Sequence, residues 1–546
     1  MTTKKSTKNK LVSIKKSPKP LGKPMKGRDV IVKALGNEGV KVIFGYPGGT
    51  SMEIHQGLTL APKIRMVLPR HEQGGAFAAG GYARSTGEVG VCMATSGPGA
   101  TNLITGIIDA KMDSIPIVAI TGQVASTLLG SDAFQETDIM GATFPLVKHS
   151  YMIQNVAEIP QVIHNAFHIA RTGRPGPVLV DIPKNIQQQE GIADFNVTFD
   201  CPSYRPNLKP SVLQCKKAAH AIQTAKRPII YAGGGIVCSG ASQELRALVK
   251  KTGIPVTTTA MGLGIFPSND PLSLRMLGMH GAVYANIAIN HADLVIAAGV
   301  RFDDRVTGKL AEFCKDAQII HIDIDPTEIN KNILVDIPIQ GDVKQALKII
   351  HGYVEPKKDI KPWIKQLNDW KKEFPLEFKP KKGEIVPQSV ISEVNKLADD
   401  DAIFSVGVGQ HQMWSAQFLD FNEPNNWLCS SGLGAMGFGL PAAMGAQVAF
   451  PNRQVINIEG DGSFLMNIQE LQTLKIENIP VKNIILNNAH LGMVAQWEDR
   501  FYKSIRGHTF IGDANFAEVA HAFGIKSESI SDPKDIVPAL KRMLKH

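Results

Sequence analysis

Val455-Ile456-Asn457-Ile458 runs into Gly460-Asp461-Gly462-Ser463, and Ile484-Ile485-Leu486 runs into Asn487-Asn488. Asp461 and Asn488 are 488 − 461 = 27 residues apart. Each apolar run reads as a buried parallel strand. Both polar elements therefore fall in loops at strand carboxyl ends, where open α/β sheets bind ligands. The chemistry on offer suits a hard cation. A carboxylate, an amide oxygen and a nearby backbone carbonyl supply three oxygens, and a diphosphate fills most of the remaining octahedron. The glycines allow the backbone to approach that diphosphate closely. Gly-Asp-Gly alone is usually a turn, but the ordered pattern of strand, Gly-Asp-Gly, helix, strand and Asn-Asn is far more specific.

The same alternation of strand-like and helical patterns extends through the chain. Further apolar runs are Val42-Ile43-Phe44, Val89 to Met93, Ile117 to Ile120 and Val178-Leu179-Val180. Later ones are Ile229-Ile230-Tyr231, Leu294-Val295-Ile296, Ile319 to Ile322 and Ile403 to Val406. Most end in loops containing Gly, Pro or Asp, which predicts an α/β fold of doubly wound parallel sheets. Residues 191–212 and the Lys/Pro-rich 353–386 read as linkers, although Trp363 and Trp370 predict a packed helix within the second. Three domains follow: 28–190, 213–352 and 387–546.

With 546 residues, 43% hydrophobic and 20% charged, the composition is that of a large soluble enzyme. The formal charge of +9 lies mostly in the first 28 residues, which contain nine lysines and Arg28 before the first acid, Asp29. Residues 1–27 lack apolar periodicity and read as a disordered basic tail, with a transit peptide as the alternative. No aromatic residue is interleaved with the lysines, and the rest of the chain is near neutral, so no nucleic-acid partner is expected. No stretch reads as a membrane span. The six cysteines form no CxxC pair and read as reduced thiols. A cytoplasmic address follows, or a plastid if the tail is a transit peptide.

Other motifs surround the first. Arg70-His71-Glu72-Gln73-Gly74-Gly75-Ala76 opens an Ala/Gly-rich helix; in isolation, its Glu merely suits the helix dipole. Gly45 to Gly49 and Gly97-Pro98-Gly99-Ala100-Thr101-Asn102 are strand-end loops, followed by Ser131 to Glu136, Gly173 to Pro177 and Asp181 to Lys184. The middle third contains Ala232 to Gly235, Gly278 to Gly281, Val300 to Gly308, His321 to Pro326 and Gly341 to Val343. The last third adds Val408 to His411, Gly432 to Gly437 and His490 to Trp497. From about residue 28 onward, these motifs make the chain resemble the catalytic subunit of acetohydroxyacid (acetolactate) synthase, a thiamine diphosphate enzyme.

The resemblance implies three cofactors, thiamine diphosphate, Mg²⁺ and FAD, the flavin in the central domain between pyrimidine- and diphosphate-binding domains. Glu72 would hydrogen-bond the aminopyrimidine and drive it to the imino tautomer, with Gln135 and Lys184 on the approach. Val408, Gln410, His411, Gly434, Met436, Gly462 and Ser463 would hold thiamine diphosphate, and Met436 would prop it in its bent shape. Asp461, Asn488 and His490 would bind the metal. Gly49, Phe134, Arg305, Met493 and Trp497 would meet substrate: Arg305 takes the keto-acid carboxylate in its planar fork, and Trp497 shapes the second-substrate pocket. For the flavin, the resemblance implies Arg174, Gly233, Gly234, Gly235, Thr259 and His280. It adds Gly281, Gly299, Val300, Arg301, Asp325 and Asp342. No Gly-x-Gly-x-x-Gly fingerprint occurs in the central domain, so the flavin rests on resemblance alone.

The implied reaction joins pyruvate, after loss of CO₂, to a second pyruvate or to 2-oxobutyrate, the first common step toward branched-chain amino acids. A homodimer or homotetramer with active sites between subunits, and a small regulatory subunit, are implied too. The chain departs from the family in two places: Ala125 replaces a common Pro beside the substrate channel, and relatives continue past His546, which suggests a truncated C-terminal domain. The rivals are another thiamine diphosphate carboligase or decarboxylase, and a non-catalytic subunit of the same fold. Retention of Glu72, Asp461 and Asn488 argues against the second.

Overall fold

The computed structural model describes residues 22–546, and most of the expected basic tail lies outside them. Order begins earlier than residue 28. Met25–Lys26 pairs antiparallel with Glu190–Gly191, and a helix starts at Gly27, where the absence of a side chain lets the backbone meet the Ile186 carbonyl.

Three parallel sheets carry the chain. The first comprises β1 (Val42–Gly45), β2 (Arg65–Val67), β3 (Gly90–Ala94), β4 (Ile117–Gln123), β5 (His149–Met152) and β6 (Val178–Pro183), in the order β2-β1-β3-β4-β6-β5. The central sheet comprises β7 (Pro228–Ala232), β8 (Val256–Thr258), β9 (Ser273–Met276), β10 (Leu294–Ala298), β11 (Gln318–Asp323) and β12 (Ile337–Gln340), in the order β9-β8-β7-β10-β11-β12. The last comprises β13 (Ile403–Val406), β14 (Trp427–Cys429), β15 (Val455–Gly460) and β16 (Lys482–Leu486), in the order β14-β13-β15-β16. In each sheet the order reverses direction beside the first strand of the domain, creating the crevice in which such folds bind ligands. The α/β doubly wound expectation holds.

Every apolar run named above forms a strand, because strands buried on both faces must be apolar throughout. The strands not anticipated are short or polar: Arg65–Val67, His149–Met152, Val256–Thr258, Ser273–Met276, Ile337–Gln340 and Trp427–Cys429. Residues 192–211 contain neither helix nor strand, whereas Lys361–Glu373 is a helix. Its Trp363 is buried against the central core and donates from Nε1 to the Pro228 carbonyl at 3.1 Å.

The outer domains meet through two helices, α1 (Glu72–Thr86) and α2 (Gly439–Ala449). Contact is close because Gly81 rests on the Ala442 backbone and Gly445 on the Ala78 carbonyl, so any side chain at either glycine would collide with main chain. This contact fixes the start of α1, and hence Glu72, relative to the last sheet.

Candidate active site

Strands β15 and β16 pair in register through Gly460↔Leu486, so their ends lie side by side. Asp461, 3% exposed, opens a short helix, α3 (Asp461–Leu465). Its Oδ1 accepts from the Gly462 amide at 2.8 Å and its Oδ2 from the Asn488 amide at 3.2 Å. Asn488 Oδ1 accepts from the His490 amide at 3.0 Å. Gly462 borders Met436, Gly492 leaves room for Gln410 and Asn488, and Ser463 Oγ accepts from the Gly437 amide at 3.0 Å. Among the described residues no three His, Cys, Asp or Glu side chains converge on one point. One carboxylate with amide and backbone oxygens is a donor set for Mg²⁺ that leaves positions for diphosphate oxygens, so the residues fit the implied metal.

His411 lies beneath these loops. Gly460 provides its space, and its Nε2 is buried without a hydrogen-bond partner. Burial lowers the imidazole to about 3, so it is neutral. Glu459, fully buried 3.7 Å from it, is raised by burial to about 8.

Glu72 is the first residue of α1, whose N-cap His71 accepts from the Gln73 amide through Nδ1 at 3.1 Å. Glu72 Oε2 accepts from Asn102 Nδ2 at 3.0 Å. The amides of Arg70 and His71, ahead of the helix, donate at 2.9 Å and 3.1 Å to Oε1 of Glu470. Glu470 opens α4 (Glu470–Glu477) in the last domain, 400 residues away from Arg70. Its Oε2 accepts from Thr473 Oγ1 at 2.7 Å, and burial raises the carboxyl to about 7. Gln135 has φ 61°, unusual for a side-chain-bearing residue, and packs on Gly97, whose own φ is 59°. Lys184 starts a helical turn directly after β6, Phe134 is largely exposed, and Gly49 has open space beside it.

A cavity of about 560 Å³ runs along the central sheet to the last domain. Its wall includes Arg174, Gly234, Gly235, Thr259, His280, Gly299, Val300, Arg301, Arg305 and Asp342 together with Val408, Gly434, Met493 and Trp497. This size suits a cofactor-scale ligand. Gly235 and Gly299 touch backbone to backbone, and Gly299 has φ 62°. Thr259 Oγ1 is buried and unpartnered, a polar atom awaiting a ligand, so the cavity fits the implied flavin. Gly233, Gly281 and Asp325 are not in the wall. Gly233 and Gly281 make close backbone contacts just behind it, while Asp325 binds Arg174 Nη1 at 3.1 Å. Arg305 pairs with Asp304 at 3.2 Å and stays exposed. Glu72, Gln135, Lys184 and Asp461 lie outside this cavity, and no hydrogen bond joins Glu72 to Asp461 among the described residues.

Three family models match the chain: the N-terminal TPP binding domain of thiamine pyrophosphate enzymes over residues 25–142, the central domain over 215–350 and the C-terminal TPP binding domain over 407–546. The chain is 52% identical over 536 residues to acetolactate synthase 3, chloroplastic, of Brassica napus, covering 95% of this chain and 82% of that one. It is equally similar, at 52% over 95% of its length, to the chloroplastic acetolactate synthases of Arabidopsis thaliana (80% of that chain) and Zea mays (acetolactate synthase 1, 84%). The chain belongs to the acetolactate synthase family of thiamine pyrophosphate enzymes.

In this acetolactate synthase family member, Glu459 and Glu470 stand in no sequence motif, and Asn102 stands in one only as the end of a glycine loop. Glu470 follows Asp461 by nine residues (470 − 461) on the next helix, and only the fold shows that it is buried. Asn102 was visible as the last polar residue of a glycine loop. Its contact with Glu72, 30 residues earlier, is a property of the fold.

Proposed function

We propose that this chain is the catalytic subunit of an acetolactate synthase that joins pyruvate, with loss of CO₂, to a second pyruvate or to 2-oxobutyrate. Bound thiamine diphosphate supplies the carbon nucleophile, and the protein supplies geometry and electrostatics. Asp461, Asn488 and the backbone at His490 would hold Mg²⁺ and through it the diphosphate. Neutral His411 and Gln410 would border the same group. Glu72 would exchange a proton with the pyrimidine ring through Oε1, the oxygen that accepts no hydrogen bond among the described residues. Arg305 would exchange its exposed partner Asp304 for the carboxylate of the incoming keto acid. The cavity would hold FAD as a structural element, since the net reaction has no redox step.

The observation that carries this reading is the Asp461–Asn488 pair closed across adjacent strand ends at 3.2 Å, in a chain that also presents Glu72 at a helix start. The test is to supply purified protein with thiamine diphosphate, Mg²⁺, FAD and pyruvate and to quantify acetolactate. Pyruvate consumption that yields acetaldehyde and no acetolactate would overturn it. Full activity in a colourless, flavin-free preparation would move the chain to the flavin-independent carboligases.

A site shared between two copies accounts for the separation of Glu72 from Asp461 within one chain: Glu72 would face the partner's Asp461 and the partner's Asn488. The exposed Phe134, Phe501, Tyr502, Ile505 and Phe510 fit such an assembly, a homodimer or homotetramer, with a regulatory subunit as in the implied family. No described helix is long and apolar enough to cross a membrane. Nothing in the relatives supports the cytoplasmic expectation. Their names are chloroplastic, which favours the alternative for the basic, acid-free first 28 residues, a plastid transit peptide. A reporter fused to that segment and left outside isolated chloroplasts would refute the address.

A further inference from the structure

The loop Gly97–Asn102 is the one quoted motif that no cofactor or substrate role absorbs, and it touches both residues expected to lie nearest the reacting centre. Asn102 Nδ2 donates to Glu72 Oε2 at 3.0 Å. A side chain on Gly99 would come within 3.2 Å of Glu72 Oε1, so the glycine keeps the space beside that oxygen clear. Gly97, at φ 59°, lets the loop pass under Gln135, whose carbonyl oxygen would stand 2.9 Å from any Cβ there. The two Glu72 oxygens are therefore unlike: one is held by an amide, and the other has a cleared face and no donor among the described residues.

We infer that Asn102 is a positioning residue that fixes the Glu72 carboxylate through Oε2 and so leaves Oε1 as the atom that exchanges a proton. The inference rests on the reading of Glu72 given above. A carboxylate free about its terminal torsion samples a broad, two-fold range, and the amide selects one setting. Loss of this hydrogen bond corresponds to about a 10- to 100-fold change in a rate that depends on it. The side-chain amide of Asn102 is engaged with Glu72, so it acts through that carboxylate.

The experiment uses the full chain loaded with thiamine diphosphate and Mg²⁺, without substrate, and follows hydrogen–deuterium exchange at the reacting carbon of the cofactor. Glu72→Gln is the control that tests the underlying reading: if exchange is not slowed there, that reading fails first. With the control slowed, Asn102→Ala should exchange about 10- to 100-fold more slowly, with cofactor affinity within about threefold by calorimetry. Asn102→Asp is nearly isosteric but has no donor and sets like charge against Glu72, so it should lose more than Asn102→Ala. A residue needed only for packing predicts the reverse order, because alanine removes more volume. Exchange within about twofold of the parent in a normally melting Asn102→Ala protein overturns the inference. So does an Asn102→Asp variant no worse than Asn102→Ala. Should Asn102→Ala not fold, Asn102→Leu, close in volume and without a donor, takes its place under the same criteria.

Discussion

At the last sheet, two neighbouring strands end together and place Asp461 against Asn488 across a single hydrogen bond. Along the central sheet, the cavity takes its walls from helices and loops spread between Met112 and Trp497. In the first region a few atoms of fixed kind meet at one point, and each is spelled by a short motif. In the second, many residues each contribute a small part of a shape. Chemistry that depends on charge at one position belongs to strand ends, while selection by size can be distributed over a wall. Substitutions at the strand ends should therefore cost orders of magnitude, and those in the cavity should redistribute products.

The strongest test is Glu72→Gln, which keeps shape and removes the charge. Turnover should fall by about 10²- to 10⁴-fold with the melting temperature unchanged. Near-parent turnover with saturating cofactor would break the contrast at its root. Next is Asp461→Ala, which deletes one of the oxygens proposed to hold the metal. Thiamine diphosphate affinity measured by calorimetry with Mg²⁺ should weaken by at least about 100-fold, more than loss of an outer-shell partner usually costs. Unchanged affinity would mean that the pair only closes a turn.

Glu470 sharpens the comparison, because it is a carboxyl with both oxygens engaged inside the protein. Ordinarily near 4.5, it is raised to about 7 by burial. A raised carboxyl binds a proton more tightly folded than unfolded. Its contribution to stability is complete below pH 4.5 and is lost as pH rises through about 7. That amounts to about 3 kcal/mol across the interval. Glu470→Gln should flatten this part of the stability–pH curve in chemical denaturation, and an identical slope in the mutant would show that the carboxyl is not held as described. The smallest effect belongs to the cavity. Trp497→Leu should shift competition between pyruvate and 2-oxobutyrate toward acetolactate by about 10-fold, since one methylene in an apolar pocket is worth that order. An unchanged product ratio would assign Trp497 to packing.

How much could be read beforehand follows the same division. The strands buried on both faces were legible because burial leaves no choice but apolar runs. Edge and polar strands such as Ser273–Met276 were not, since pairing rather than composition makes them strands. Asp461 and Asn488 were legible because their helix and two strands are consecutive. Asn102 and Glu470 were not, because their partners are 30 and 400 residues away and nothing local marks the contact. Ala125, the position at which the resemblance implies a common Pro, adopts φ −55°, near the value a proline ring imposes, so its backbone setting is one a proline shares.

The bond between Glu470 and the amides of Arg70 and His71 also bears on how the protein is made. Domains form in the order in which they leave the ribosome. The first sheet can close early, but the two amides ahead of α1 receive their carboxylate only when a segment 400 residues later has been synthesised and docked. Until then the turn that presents Glu72 is an unfinished helix start. The nascent chain carries Glu72, the proposed proton-exchanging residue, for most of its synthesis without the contact that sets its helix start in place, and the last domain to emerge completes the first.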